Sequence, residues 1–245
     1  MIGWLIYSAV DVEKNKYYIQ MYKDKFKEHF IEIKLVIVEE LENMEQYVKC
    51  NKVDFAINRS RNHIMGELLE QKGVRVFNSS SVTRIANNKG ITYEFLKDVV
   101  PFLAVKYGNE IIESKIENKG FEYPYVIKSC SGHGGSQVFL VNNSKEEEQA
   151  IKAMNGQEYV VQQCCSDLGR DVRVYVIGNK IIKAVLRTST ESFKSNYSLG
   201  GKVQEYTLNN EEKAMVERIV DKLPLDYAGI DFTFNNGKAV FNEIE

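Results

Sequence analysis

The sequence predicts a mixed α/β protein, with α+β character in its second part. Three observations predict this class. Short apolar runs alternate with helix-period stripes over the first eighty or so residues, as in a small parallel α/β unit. After Pro101 strand-like runs follow one another closely, with few helices between them. The chain then closes on two apolar runs joined by Asn235-Asn236-Gly237, and Asn-Gly between such runs is a strong hairpin signal.

Residues 2–8 read as a buried strand, 33–38 as a second, 53–57 as a third and 74–77 as a fourth. A helix is expected over 17–30, where Tyr18, Met21, Tyr22 and Phe26 form a stripe at helical spacing. Asn58-Arg59-Ser60-Arg61 leads into another helix through Leu69, which Gly73 ends as a C-cap. Ser80-Ser81 is placed to cap one helix running from Val82 to Lys97. Strands are expected at 102–106, 124–129, 137–141, 159–163, 171–177 and 180–187. Ser144, with Glu147 three residues on, marks a capping box for a helix to about Met154. A last helix is expected from Asn210 to Leu223, capped by Asn209 or Asn210, before strands at 227–234 and 239–244. The boundary between the two halves falls near residues 79–100, and domains are set at 1–79 and 80–245. The second domain is divided into a small lid part over about 100–165 and a C-terminal part over about 166–245.

The 245 residues are 44% hydrophobic and 27% charged, which fits a water-soluble globular chain. The net charge of −2 offers no footprint for general nucleic-acid binding or for a polybasic membrane patch. The cysteines, Cys50, Cys130, Cys164 and Cys165, contain no C-x-x-C pair. Free thiols in a reducing compartment are expected. The apolar start lacks a basic region and a cleavage site, and no apolar run approaches the ~18 residues of a membrane span. A cytoplasmic location is expected.

The densest chemical signal is Tyr-Val-Ile-Lys-Ser-Cys-Ser-Gly-His-Gly-Gly-Ser-Gln-Val over 125–138. An apolar run ends in Lys128. Then come Ser131, Gly132, His133, Gly134, Gly135 and Ser136, and a second apolar run begins. Glycines let backbone N–H groups approach a ligand, and a lysine beside them adds a mobile positive charge, which together suit phosphates. The Walker and dinucleotide spacings are both missing. A plain Gly-rich hairpin with an exposed lysine stays open at this point.

The closing hairpin carries Asp231 on one strand and Glu243 and Glu245 on the other. Residues two apart share a strand face, so the last two carboxylates point the same way. Such oxygen donors suit a hard cation like Mg²⁺; the alternative is a solvated acidic face. Asp231 sits between Ile230 and Phe232, inside an apolar run. Between these motifs lie Asp171, Arg173 and Arg187 on strands, then Phe193-Lys194-Ser195-Asn196, a basic and amide-bearing loop fit to clamp an anion. Lys89 follows Asn87-Asn88. No Ser-His-Asp order and no nucleophile elbow is present.

In chain order this set resembles the ATP-grasp ligases, most closely their RimK-like branch, over roughly residues 79–245. The tokens are Lys-x-Ser-x-Ser-Gly-x-Gly-Gly, Asp-Val-Arg, Lys-Ser-Asn, Ala-Gly-Ile-Asp and Asn-Glu-Ile-Glu. The resemblance implies an ATP-grasp fold behind an N-terminal parallel α/β (pre-ATP-grasp) domain. It implies an ATP- and Mg²⁺-dependent carboxylate–amine ligase, with Mn²⁺ as an alternative ion, acting through an acyl phosphate. Lys89 and Lys128 would contact ATP phosphates under the loop 131–136. Gln162, Gln163, Cys164 and Cys165 would form the hinge that reads adenine. Asp171 would lie at the pocket's edge, with Arg173 in the same nucleotide-binding set. Arg187 and Asn196 would face the transferring phosphoryl group, and Asp231, Glu243 and Glu245 would hold Mg²⁺.

Three departures stand out. Gln163 replaces a frequent Glu, Glu245 replaces a usual Asn, and the chain stops where relatives continue, so it is read as either a truncated or a short natural form, with the completeness of the acceptor pocket left open. The implied partners are a small carboxylate and an amine, with a peptide or protein C-terminus and a homo-oligomer left open. A D-alanine ligase-like enzyme and a non-catalytic nucleotide-binding module are the competing readings.

Overall fold

A computed structural model describes residues 1–108, 121–135, 137–195 and 201–245. The chain divides into two compact units, Met1–Arg84 and Ile85–Glu245.

The first unit is built on strands β1 (Ile2–Tyr7), β2 (Glu32–Ile37), β3 (Phe55–Asn58) and β4 (Arg75–Phe77). They form one parallel sheet in the order β2-β1-β3-β4. β1 is central, and its residues Trp4 to Tyr7 are all buried, the pattern of a strand covered on both faces. Trp4, Ile6, Val36, Ala56, Met65, Leu69 and Val76 make the core. Helices α1 (Ala9–Val12), α2 (Lys16–Lys27), α3 (Met44–Cys50) and α4 (His63–Gln71) lie between the strands. The short α1 and α3 were not expected: neither is long enough to show a periodic stripe. Asn43 starts α3 by accepting from the Gln46 amide.

The helix expected from Val82 to Lys97 is two helices, α5 (Ser80–Ala86) and α6 (Lys89–Leu96). The reason is local. The Asn88 side chain accepts from the Ile91 amide and so begins a new helix. Thr92 reinforces the break by donating to the carbonyls of Ile85 and Asn88.

The second unit holds two antiparallel sheets. The smaller joins β5 (Val105–Tyr107), β6 (Tyr125–Ser129), β7 (Val138–Val141) and β8 (Tyr159–Gln163) in the order β5-β8-β6-β7. Helix α7 (Ser144–Met154) contributes Ala150 and Met154 to its core with Tyr125, Ile127, Val141 and Val161. The cap of α7 is Asn143, which accepts from the Glu146 amide, and not the expected Ser144. The expected strand 102–106 is shorter and later, at 105–107, with Phe102 making one isolated bridge to Phe241.

The larger sheet joins β9 (Arg170–Ile177), β10 (Lys180–Thr188), β11 (Lys202–Tyr206), β12 (Tyr227–Asn235) and β13 (Lys238–Ile244). Its order is β11-β10-β9-β12-β13. β11 was not among the expected strands. Helix α8 (Asn210–Lys222) carries a complete capping box, Asn209 with Glu212, and buries Met215, Val216, Ile219 and Val220. Asn236 and Gly237 take φ of 51° and 73°, the left-handed pair that a tight hairpin needs.

Register on this sheet sets the chemistry. Val172, Val174 and Val176 of β9 point into the core. Asp171 and Arg173 therefore point the other way. Asp171 lies opposite Arg187 of β10, Arg173 opposite Asp231 of β12, and Asp231 opposite Glu243 of β13. Among the described residues no helix is long and apolar enough to cross a membrane.

Candidate functional site

The glycine turn leaves β6 after Ser129 and returns in β7. Gly134 and Gly135 take φ of 63° and 75°, a backbone that side-chain-bearing residues rarely adopt. Ser131 and His133 lie in the same turn; Ser136 is outside the described residues.

Lys89 is the first residue of α6, and its backbone amide donates to the Cys130 carbonyl at 2.9 Å, tying the helix to the end of β6. Its ammonium donates to the Gly132 carbonyl at 2.7 Å and lies 3.2 Å from a Glu243 carboxylate oxygen. Lys128 is only 7% exposed, and its ammonium donates to the Asn242 side-chain oxygen at 2.7 Å. Burial pulls the Lys128 pKa down to about 8; Glu243 raises it and Lys89 lowers it further. On the far side Lys194 donates to the Gly135 carbonyl at 2.6 Å, and burial lowers its pKa. The turn is thus held at Gly132 by α6 and at Gly135 by the loop after β10.

Beneath the turn is a cavity of about 100 Å³. Lys89, Lys128, Gly132, Gly135, Gln162, Gln163, Cys165, Asp171 and Glu243 line it, all expected site residues. Ligand pockets commonly measure ~300–1,000 Å³. The cavity as it stands is smaller than that range. Gln162 is buried and donates to the Tyr93 hydroxyl at 3.1 Å; the Gln163 amide donates to the Ala104 carbonyl at 2.9 Å. Cys164 and Cys165 are half-buried, burial raises the Cys164 thiol, and the Thr233 hydroxyl lies 3.2 Å from the Cys165 sulfur.

A second cluster occupies the sheet face beside the cavity. Arg187 donates to both oxygens of Asp171, at 2.6 and 2.8 Å, and to Asp231 at 2.7 Å. Arg173 donates to both oxygens of Asp231, each at 2.7 Å, and to Glu245. The Ser195 hydroxyl donates to Asp171. Burial works against both guanidinium charges, but the bonded carboxylates hold their pKa above the ordinary arginine value. Burial also opposes the Asp231 charge, and the two arginines override it and keep that carboxyl low. Asp171 and Glu245 are pushed up, first by burial.

The carboxylates expected to hold a metal, Asp231, Glu243 and Glu245, all belong to this arrangement. The oxygen donors are of the kind that Mg²⁺ takes. Each is bonded or paired to a cation of the chain instead, Asp231 to Arg173 and Arg187, Glu245 to Arg173, and Glu243 to Lys89. Among the described residues no three such groups gather in a way that would hold a metal ion. Register sets these pairs: Asp231 lies opposite Arg173 on one side and Glu243 on the other, and Arg187 lies opposite Asp171. Arg173 accordingly binds carboxylates and does not line the cavity. Asn196 lies outside the described residues.

Three residues of the site were not singled out from the sequence. Lys194 carried a signal, since it belongs to the basic Phe-Lys-Ser-Asn loop. Asn242 opens the Asn-Glu-Ile-Glu token but was given no role of its own. Tyr93 carried none.

Comparison with known proteins agrees with the fold. The model of the RimK-like ATP-grasp domain matches residues 86–245. A Mycoplasma pneumoniae protein described as an uncharacterized MG011 homolog is 30% identical over 98% of this chain and 82% of its own length. A probable alpha-L-glutamate ligase of Vibrio parahaemolyticus is 28% identical over 85% of this chain and 62% of its own length. A RimK domain protein of Sphaerobacter thermophilus has the same fold, with a TM-score of 0.74 at 20% identity over all of this chain and 90% of that one. With a glycine turn closed by lysines over a cavity between two antiparallel sheets, and a family match across nearly the whole second unit, the chain belongs to the RimK-like ATP-grasp family.

Proposed function

We propose that this protein is an ATP-dependent carboxylate–amine ligase that works through an acyl phosphate. One observation carries the reading. Lys89 from a helix, Lys128 from the small sheet and Glu243 from the last hairpin converge on one cavity under the glycine turn. In the proposed reaction a substrate carboxylate oxygen attacks the terminal phosphorus of ATP and ADP leaves. An amine then attacks the acyl carbon and phosphate leaves. Both steps need charge neutralisation and alignment more than a nucleophilic side chain.

Lys89 and Lys128 would hold phosphate oxygens, and the backbone amides of the glycine turn would add neutral donors. The segment Gln162–Cys165 would take the base. Arg187, joined to the cavity through Asp171, would balance charge on the transferring group, with Asn196 beside it. Mg²⁺, or Mn²⁺ in its place, belongs to the proposal as the counter-ion of ATP. The similarity to the Vibrio protein, a probable alpha-L-glutamate ligase, makes glutamate the first amine to try.

The test is calorimetric titration with a non-hydrolysable ATP analogue, with and without Mg²⁺, followed by an ADP-release screen over amino acids and small carboxylates. Binding with substrate-dependent ADP release supports the ligase. Binding without release from any pair supports a nucleotide-binding module, and no binding in either condition rejects the site.

A further inference from the structure

Asn242 is the extra residue of a β-bulge. Asp231 pairs with Glu243 and Phe232 with Phe241, so Asn242 has no residue opposite it on β12. A bulge turns a side chain away from the direction that strict alternation would give it. Here the turned side chain lines the cavity and accepts from the Lys128 ammonium at 2.7 Å. The backbone of the bulge is held as well: the Asn242 carbonyl accepts from the Tyr93 hydroxyl at 2.6 Å. That hydroxyl in turn accepts from the Gln162 side chain at 3.1 Å. Tyr93 and Gln162 are 3% and 2% exposed.

The result is a continuous hydrogen-bonded chain, Gln162–Tyr93–Asn242–Lys128, drawn from β8, α6, β13 and β6, with Asn242 half-buried and the others buried. A polar chain in which each link is bonded fixes its members. A lysine has four rotatable bonds and three rotating donors, so one fixed acceptor decides where its charge sits. Gln162 and Lys128 line the same cavity, one at each end of this chain.

We propose that Asn242 is a positioning residue for Lys128, fixing the ammonium at the phosphate end of the cavity. The proposal rests on the nucleotide reading above. Asn242 accepts one ammonium hydrogen and leaves two for the ligand. Apolar residues at this position leave the lysine buried without that acceptor.

The experiment compares the parent chain with Asn242→Leu, Asn242→Asp and Lys128→Met, each titrated with adenosine, ADP and a non-hydrolysable ATP analogue. Asn242→Leu is expected to weaken ADP and the ATP analogue by about tenfold or more, the worth of one charge-assisted bond, and to leave adenosine unchanged. Asn242→Asp keeps the accepting oxygen and is expected to return phosphate-dependent affinity to within a few fold of the parent. A merely structural role does not produce that rescue. If the Leu chain does not fold, Asn242→Ser, too short to reach Lys128, is read in the same way. Equal weakening of adenosine and the ATP analogue overturns the proposal, because Asn242 then shapes the base pocket. Parent-like binding by Asn242→Leu, with loss in Lys128→Met, overturns it and leaves the nucleotide site standing. Parent-like binding by Lys128→Met removes the nucleotide reading itself.

Discussion

Arg173 and Asp231 face each other directly across β9 and β12 and share two parallel hydrogen bonds, each 2.7 Å long. Asp231 is 1% exposed, and Arg187 donates to it as well. A carboxylate that the sequence marks for a cation thus binds two guanidiniums, and the central sheet is stitched through it.

Asp231→Asn should therefore act first on stability. It removes the charge that two buried arginines share, and breaking such a pair costs about 3–5 kcal/mol. Urea unfolding of the variant should give a clearly lower midpoint. The acid limb has a defined sign. The arginines depress the Asp231 pKa in the folded chain, so its stabilisation is present above the ordinary carboxylate pKa and is lost as pH falls through the folded value. In Asp231→Asn that part of the acid dependence should vanish.

Lys128 predicts an alkaline effect. Its folded pKa is about 8, below the ordinary 10.5. Glu243, Lys89, Cys165 and Asp231 all act on it, after burial itself. Between those two pH values the unfolded chain binds the proton and the folded chain does not, so stability rises with pH there. Affinity for an ATP analogue should move the other way and decline above about pH 8, as the ammonium loses its charge. Titrations from pH 6 to 10 check this, and Lys128→Met should flatten both profiles.

Gly169 is a fixed point of the loop that carries Lys194 and Ser195. Its amide donates to the Phe193 carbonyl at 3.0 Å, and its carbonyl accepts from the Ser189 amide at 2.7 Å. It has φ of +68°, and a Cβ placed there would lie 2.4 Å from the Ser189 carbonyl oxygen and 2.8 Å from that of Ser192. Backbone on both sides cannot give way cheaply. Gly169→Ala should cost about 2 kcal/mol or more through strain at a special backbone position. It should also weaken nucleotide-analogue binding by displacing the loop; a thermal melt and one titration read both effects.

Lys194 holds the glycine turn at Gly135. Lys194→Met should leave the global midpoint close to the parent while speeding amide exchange at Gly132 to Gly135, because only a local closure is lost. Loss of one half-buried hydrogen bond is worth about 1 kcal/mol, roughly fivefold in analogue affinity. Unchanged exchange in the turn would show that Lys89 alone keeps it down.

Local order in this protein was legible in the sequence because it depends on neighbours. The Asn236-Gly237 turn, a cap at Asn209 or Asn210 and the glycines flanking His133 act within a few residues of themselves. Alternation along β9 was equally readable, since Val172, Val174 and Val176 share one face whatever lies beyond it. Chain order was enough to suggest the family, and with it part of the cavity lining. Tertiary structure decided who meets whom. Sheet register set Asp231 against Arg173 and Asp171 against Arg187, and so linked the carboxylates to two guanidiniums. A bulge one residue long brought Asn242 to Lys128, and Asn88 divided a helix that periodicity had run through. Each of these outcomes turns on a partner supplied by a distant strand, or on a competition between near-equal local bonds. Sequence spacing does not encode such choices, because a shift of one residue in a strand reverses the face on which a side chain lies.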